Sequence, residues 1–393
     1  MKVWTLGAVL LIAAVGVGVP DAFGAEQSTA AVASAASAKT DQAAAATAAA
    51  RPALASGPSA PAPAIAWRVA MVGDVMLGSD YPAADLPPNE GRDLLAAAQP
   101  ILQAVDVAIG NLEGAIAQGG QTTKTGCVRC FAFRMPPTVA PVLRAAGFRL
   151  WSSANNHASD FGDAGRAQTT QAVQKAGMLN TGATTQPEAR WPVRGRQLCL
   201  MAFAPNMGMN DLRDISGAQD RIRRTRARCD LLIVTFHGGG EGVDHSHTPV
   251  GTEWFLGENR GDVRAFAHAA LDAGADLVFG SGPHIARGME LYHHKLIAYS
   301  LGNFMTYGGI SVAGPLGWSA LLEVNLDDQG RLVSGQIHAF RQTSRQPLAA
   351  DPDLSVVKLM VQRTQDDFAG GGLRFDAQGN FSPADKAASS GQR

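Results

Sequence analysis

The 393 residues carry 33 basic and 34 acidic side chains, a formal net charge of −1, and are 46% hydrophobic and 17% charged. That is enough apolar material for a substantial core, while the balanced charge excludes the broad basic surface that nucleic acid binding requires. The one dense basic run, Arg221 to Arg228 with five arginines, has the spacing of a solvated helix face.

In chain order, Lys2 precedes an apolar stretch from Val3 to Val19, followed by Pro20, Asp21 and the small-residue pattern Ala22-Phe23-Gly24-Ala25. This is the layout of a signal peptide over residues 1–25, cleaved after Gly24 or Ala25, and it predicts an exported, periplasmic or cell-surface protein. The alternative is an uncleaved anchor, on a stretch just short of the roughly 20 residues that span a bilayer. Residues 26–64, mostly Ala, Ser, Thr, Gln and Pro, hold too few large apolar groups to offset the entropy of ordering and read as a tether.

From Trp67 the texture changes to short apolar runs alternating with amphipathic segments, the pattern of a βαβ domain expected over 65–348. Strands are predicted at 67–73, 105–110, 149–154, 197–204, 230–236, 276–280 and 295–300. Helical periodicity covers 92–104, 136–147, 163–176, 218–228 and 260–273, with Gly257 to Gly261 read as a cap on the last of these. Two alternating stretches, 317–326 and 333–341, flank Asp327-Asp328-Gln329-Gly330 and predict a hairpin. Residues 349–393 read as an extension with one helix at 353–364 and a disordered tail after about 380. The four cysteines suit two disulfides in an exported chain. Cys127 and Cys130 form a CxxC with no second pair to complete a zinc site, so a local bridge, or bridges to Cys199 or Cys229, is expected.

Five strand ends carry chemistry: Gly73-Asp74-Val75-Met76, Gly110-Asn111-Leu112-Glu113-Gly114, Asn155-Asn156-His157 with Asp160, His237-Gly238-Gly239-Gly240-Glu241, and Gly280-Ser281-Gly282-Pro283-His284. A single strand-end aspartate is commonly a turn or cap residue; the ordered repetition is what points to a site at the sheet's C-terminal edge. Carboxylates, an amide and imidazoles converging from separate strands suit manganese, iron or zinc, with His157 as a general acid oriented by Asp160.

These motifs, together with Tyr299-Ser300-Leu301-Gly302-Asn303-Phe304, resemble the CapA family of poly-γ-glutamate capsule-synthesis proteins over roughly residues 67–310. The resemblance implies a four-layer αββα sandwich related to calcineurin-like metallophosphatases. It implies Asp74, Glu113, Asn156, His237 and His284 as metal ligands, with Arg134, Glu241 and Asn303 toward substrate. Arg134 would pair with a carboxylate or phosphate, and Glu241 would orient a histidine. Two departures stand out: Met76 and Ser281 occupy positions where that superfamily usually places histidines. The expected site is therefore reduced, with one tightly held divalent ion, a weakly held second, or none, unless His245 or His247 substitutes. The implied role is synthesis, anchoring or processing of an anionic extracellular polymer alongside envelope biosynthesis proteins. A metal-dependent phosphoesterase, a non-catalytic polymer-binding scaffold and a metal-free acid–base enzyme are the alternatives.

Overall fold

Side chains along the Trp67–Met76 strand are buried on both faces, Arg68 alone being exposed, so the strand must be covered from two sides. The two faces meet different neighbours. Val69 and Met71 join a core with Leu198, Leu200, Leu231, Ile233, Leu277 and Phe279, whereas Ala70 and Val72 face Leu102, Val139, Leu143 and Val173. The first group comes from the strands of a second sheet and the second group from helices, as the two-residue repeat of a strand dictates. The computed structural model in which these contacts are seen describes residues 64–125, 131–369 and 372–384. The expected signal peptide, most of the expected tether, Cys127 and Cys130 and the last nine residues lie outside the described residues.

The first sheet runs in the order Leu373–Phe375, Asn380–Pro383, Leu332–Arg341, Trp318–Leu326, Trp67–Met76, Val107–Leu112, Leu150–Ser152, Leu179–Thr181. Asn303–Thr306 adds a parallel pairing to the end of Trp67–Met76, with Asp74 opposite Asn303. The second sheet runs Met289–Tyr292, Lys295–Ala298, Leu277–Ser281, Leu231–His237, Arg196–Phe203, Ala189–Val193. Its inner four strands are parallel and its two edge strands antiparallel. Alternation divides these strands as it divides the first: Leu232, Val234, Met201 and Val278 turn outward onto Ala218, Ile222, Phe266 and Ala270 of the helices Ile215–Arg226 and Val263–Asp272. Helix, sheet, sheet, helix is the four-layer order that the motifs implied. Each large side chain fully buried in these layers contributes about 1.5–3 kcal/mol.

The predicted strands and helices are found with shifted ends, the first helix shrinking to Gln99–Ala104 and the last spanning Ser355–Asp367. The hairpin forms between Trp318–Leu326 and Leu332–Arg341, where Asp327 accepts hydrogen bonds from the backbones of Gln329 and Arg331. Two expectations fail. Asn380–Pro383 is a strand of the first sheet, with Phe381 buried beside Ile337, so order continues past residue 380. Residues Glu258–Gly261 form a strand paired with Glu253–Phe255, and the helix is capped by Asp262, which accepts from the Ala265 amide. Cys199 and Cys229 bond to each other, which removes them as partners for the CxxC.

Candidate metal centre

Asp74 is the eighth residue of its strand and is fully buried, opposite Asn111 on one neighbour and Asn303 on the other. Gly73 allows this register: a Cβ there would lie 1.8 Å from the Gly302 oxygen, so only glycine lets the two chains approach. Glu113 follows the Val107–Leu112 strand, also fully buried. From the second sheet, His237 ends its strand opposite Ser281, and the turn at Gly282, with φ of 117°, passes within 2.7 Å of Gly238 at its Cβ position. His284 follows in the left-handed region at φ 57°, a conformation that costs a non-glycine residue about 1 kcal/mol or more.

These elements bring Asp74, Glu113 and His237 together with one donor atom each within 4.8 Å of the others. His237 Nδ1 lies 3.7 Å from Glu113 Oε2 and 4.0 Å from Asp74 Oδ1, and accepts or donates across 3.1 Å to Ser281 Oγ. His284 Nδ1 lies 2.9 Å from both Asp74 Oδ2 and Asn303 Oδ1. Asn303 is thereby engaged with a histidine rather than open to substrate, its amide donating to the Ser311 and Leu316 carbonyls. Met76 is buried, and neither His245 nor His247 joins the cluster; His247 pairs instead with Asp367.

The donor set fits a divalent cation on grounds internal to this structure. Glu113 Oε1, His237 Nε2 and Asn156 Oδ1 are all buried and have no hydrogen-bond partner among the described residues. Leaving such atoms unpaired costs about 1–3 kcal/mol each, more for a charged group, and the two carboxylates and the imidazole that converge here are suitable ligands. One neutral group competes. Asn111 Nδ2 donates to Asp74 Oδ1 at 2.8 Å and to Glu113 Oε2 at 2.6 Å, and stands 3.5 Å from His237 Nδ1. Its own oxygen accepts from Asn155, whose amide also reaches the Leu112 carbonyl.

Beside this cluster, His157 Nδ1 meets Asp160 Oδ2 at 2.8 Å, which selects the Nδ1–H form and leaves Nε2 facing Glu113 Oε1 at 3.9 Å. Asp160 also accepts from the Phe133 amide, and Lys124 reaches it at 2.7 Å while lying 3.1 Å from His157 Nδ1. Phe133 covers the imidazole with ring centroids 4.4 Å apart.

Electrostatics follow the burial. Burial, then the adjacent Asp74 charge, pushes the Glu113 carboxyl up to about 8. Burial and the neighbouring Arg260, His284 and His157 hold His237 well below its ordinary value. For His284 burial acts downward, but the hydrogen bond and charge of Asp74, with Glu113 and Glu241, carry it up to about 9. His157 lies below its ordinary value because burial outweighs the pull of Asp160. Without a cation, the pocket thus holds protons on Glu113 and His284 in its place.

Two residues expected toward substrate, Arg134 and Glu241, are engaged by protein groups. Arg134 donates from Nε to Asp80 at 2.5 Å and from Nη1 to the Gly120 carbonyl, with its guanidinium over Tyr81 and Phe161. Glu241 accepts from Arg260 Nη1 at 2.7 Å, and its charge helps to raise His284. Four residues escaped the sequence reading: Asn111, Lys124, Arg260 and the Ser281 hydroxyl as partner of His237. Asn111 stood inside a quoted motif and could have been suspected; Lys124, in a Gln/Thr-rich loop, gave no periodic signal.

A family model described as bacterial capsule synthesis protein PGA_cap matches residues 68–307. The capsule biosynthesis protein CapA of Bacillus anthracis is 26% identical over 286 residues, covering 67% of this chain and 64% of that protein. The PGA biosynthesis protein CapA of Bacillus subtilis (strain 168) is 25% identical over 252 residues, covering 60% and 62%. The chain thus spans a little under two thirds of the length of these curated relatives. Among solved structures, a 5′-nucleotidase precursor from Thermus thermophilus aligns over 76% of this chain and 58% of its own, with a TM-score of 0.37 and 15% identity.

Proposed function

The chain belongs to the bacterial capsule synthesis protein PGA_cap family, and from that premise we propose that it acts in synthesis, anchoring or processing of an anionic extracellular polymer of the poly-γ-glutamate type. We propose that it does so through a divalent-metal site built on Asp74, Glu113 and His237, with Asn156 and His284 beside them. The observation that carries the reading is the buried cluster of donor atoms within 4.8 Å, in which Glu113 Oε1 and His237 Nε2 lack hydrogen-bond partners among the described residues. A divalent ion bound there supplies Lewis acidity toward an oxygen of a phosphoryl or acyl group. Asp74 and Glu113 balance its charge, and Asn303 fixes the ring of His284. His157, held by Asp160, presents Nε2 to the cluster and takes up or returns a proton. Burial of Phe133 against that ring keeps water from one of its faces. Phosphoester hydrolysis is the chemistry to assay first.

A second reading has its own observation. Asn111 already satisfies one oxygen of each carboxylate, which favours a metal-free polymer-binding scaffold or acid–base site. Metal stoichiometry of protein purified without chelator and reconstituted with manganese, iron or zinc separates the two. One or two equivalents, lost in Asp74→Ala, support the metal centre; none under any condition rejects it.

The chain is also taken to be exported. The apolar run after Lys2 motivates this, and the Cys199–Cys229 bridge is a bond typical of oxidising compartments.

A further inference from the structure

Arg260 is 2% exposed, yet among the described residues only one of its three guanidinium nitrogens is engaged. Nη1 donates to Glu241 Oε1 at 2.7 Å and lies 3.8 Å from Glu258. Nε and Nη2 are buried without a hydrogen-bond partner among the described residues. Those two atoms are not an arbitrary pair. Their N–H groups point in the same direction and form the side-on fork with which arginine grips both oxygens of a carboxylate or phosphate. A buried guanidinium normally spends its donors on protein acceptors, as Arg287 does on Glu253 and the His245 carbonyl. Leaving a charged fork unpaired is costly.

The location matters as much as the geometry. The Glu258–Gly261 strand rests on the backbone that follows His237: Gly239 donates to the Arg260 carbonyl at 3.0 Å, and a Cβ on Gly238 would lie 2.8 Å from that oxygen. Glu241, four residues beyond His237, ties the guanidinium to the same loop. Arg260 is close enough for its charge to depress His237.

We propose that Arg260 is an anion-binding residue whose Nε–Nη2 fork holds an oxyanion of the substrate beside the Asp74–Glu113–His237 cluster. The inference deepens the function proposed above and rests on it for the position of the reacting group. The oxyanion is either a carboxylate of a γ-linked glutamate chain or a phosphoryl group; both match the fork. Glu241 holds the guanidinium in place through Nη1, while Nε and Nη2 have no hydrogen-bond partner among the described residues.

The test is calorimetric titration of the full chain with inorganic phosphate and, separately, with γ-glutamyl-glutamate, each with manganese and with EDTA, metal content being measured on the same samples. Binding of either probe is expected, and the probe that binds identifies the source of the oxyanion. Arg260→Lys keeps the charge opposite Glu241 but loses the fork, so affinity should fall about tenfold or more. Equal affinity in a folded Arg260→Lys, or no binding of either probe by the wild type, overturns the proposal. Should Arg260→Lys fail to fold, Glu241→Gln serves instead: removing the competing carboxylate should tighten binding several-fold, and unchanged or weaker binding overturns it. Because the titrations are run with and without manganese, a chain that binds anion but no metal refutes the metal centre while leaving Arg260 standing.

Discussion

Raising the pH should destabilise the metal-free protein, and adding a divalent ion should reverse the trend. Glu113 is raised to about 8 by burial and the Asp74 charge. His284 is raised to about 9, the Asp74 hydrogen bond overcoming burial. A group whose folded pKa exceeds its unfolded value gives stability that is complete below the unfolded pKa and disappears as pH rises through the folded one. Both groups therefore lose their contribution on the alkaline side. His237 and His157 are shifted downward, so their effect is lost in acid and is nearly constant above neutrality. Between about pH 7 and about pH 8.5 Glu113 and His284, which titrate as a pair, should cost on the order of 1–3 kcal/mol of unfolding free energy. Urea unfolding in EDTA at these two pH values reads this as a fall in midpoint. With saturating manganese the protons are displaced, binding tightens as pH rises, and the midpoint should hold or increase. A metal-free midpoint that is flat or rises with pH would refute the electrostatic account of the pocket.

Two further outcomes are expected. The Cys199–Cys229 bond closes a loop of 30 residues, so the double Cys199→Ala, Cys229→Ala variant should lose about 3–4 kcal/mol; a melting temperature equal to wild type would show that the bond constrains little. For export, N-terminal sequencing of protein recovered from the source cell should begin after Gly24 or Ala25, and an intact Met1 would contradict the signal peptide.

Much of the fold was legible because long strands and amphipathic helices announce themselves. The largely apolar run that opens at Trp67 and the apolar face of Val263–Asp272 each leave little choice of element. The short strands were not legible: Leu179–Thr181 and Asn303–Thr306 have three and four residues, too few to display alternation, and form by parallel pairing with Leu150–Ser152 and with the end of Trp67–Met76. The site divides in a similar way. Asp74, His237 and His284 sit at strand ends beside glycine or proline, so their direction toward the sheet edge could be read. What Asn111 does could not, because its amide acts on Asp74 from 37 positions away across a strand pair. Arg260 was masked by its company: Gly-Glu-Asn-Arg-Gly has the composition of a helix lead-in, while the true cap, Asp262, stands one residue beyond it.

Asp74 and Glu113 belong to one sheet, His237 and His284 to the strands and loops of the other. Whatever unites them is therefore a rivet through the sandwich. The alignment of the four groups is set by the apolar layer between the sheets, to which Met71 and Ile233 both belong, and a slip of one strand residue, about 3.3 Å, exceeds the tolerance of any ligand bond. Substitutions deep in that layer, touching no polar atom, would thus be felt as lost ligation, and a bound ion would in turn resist shear between the two halves.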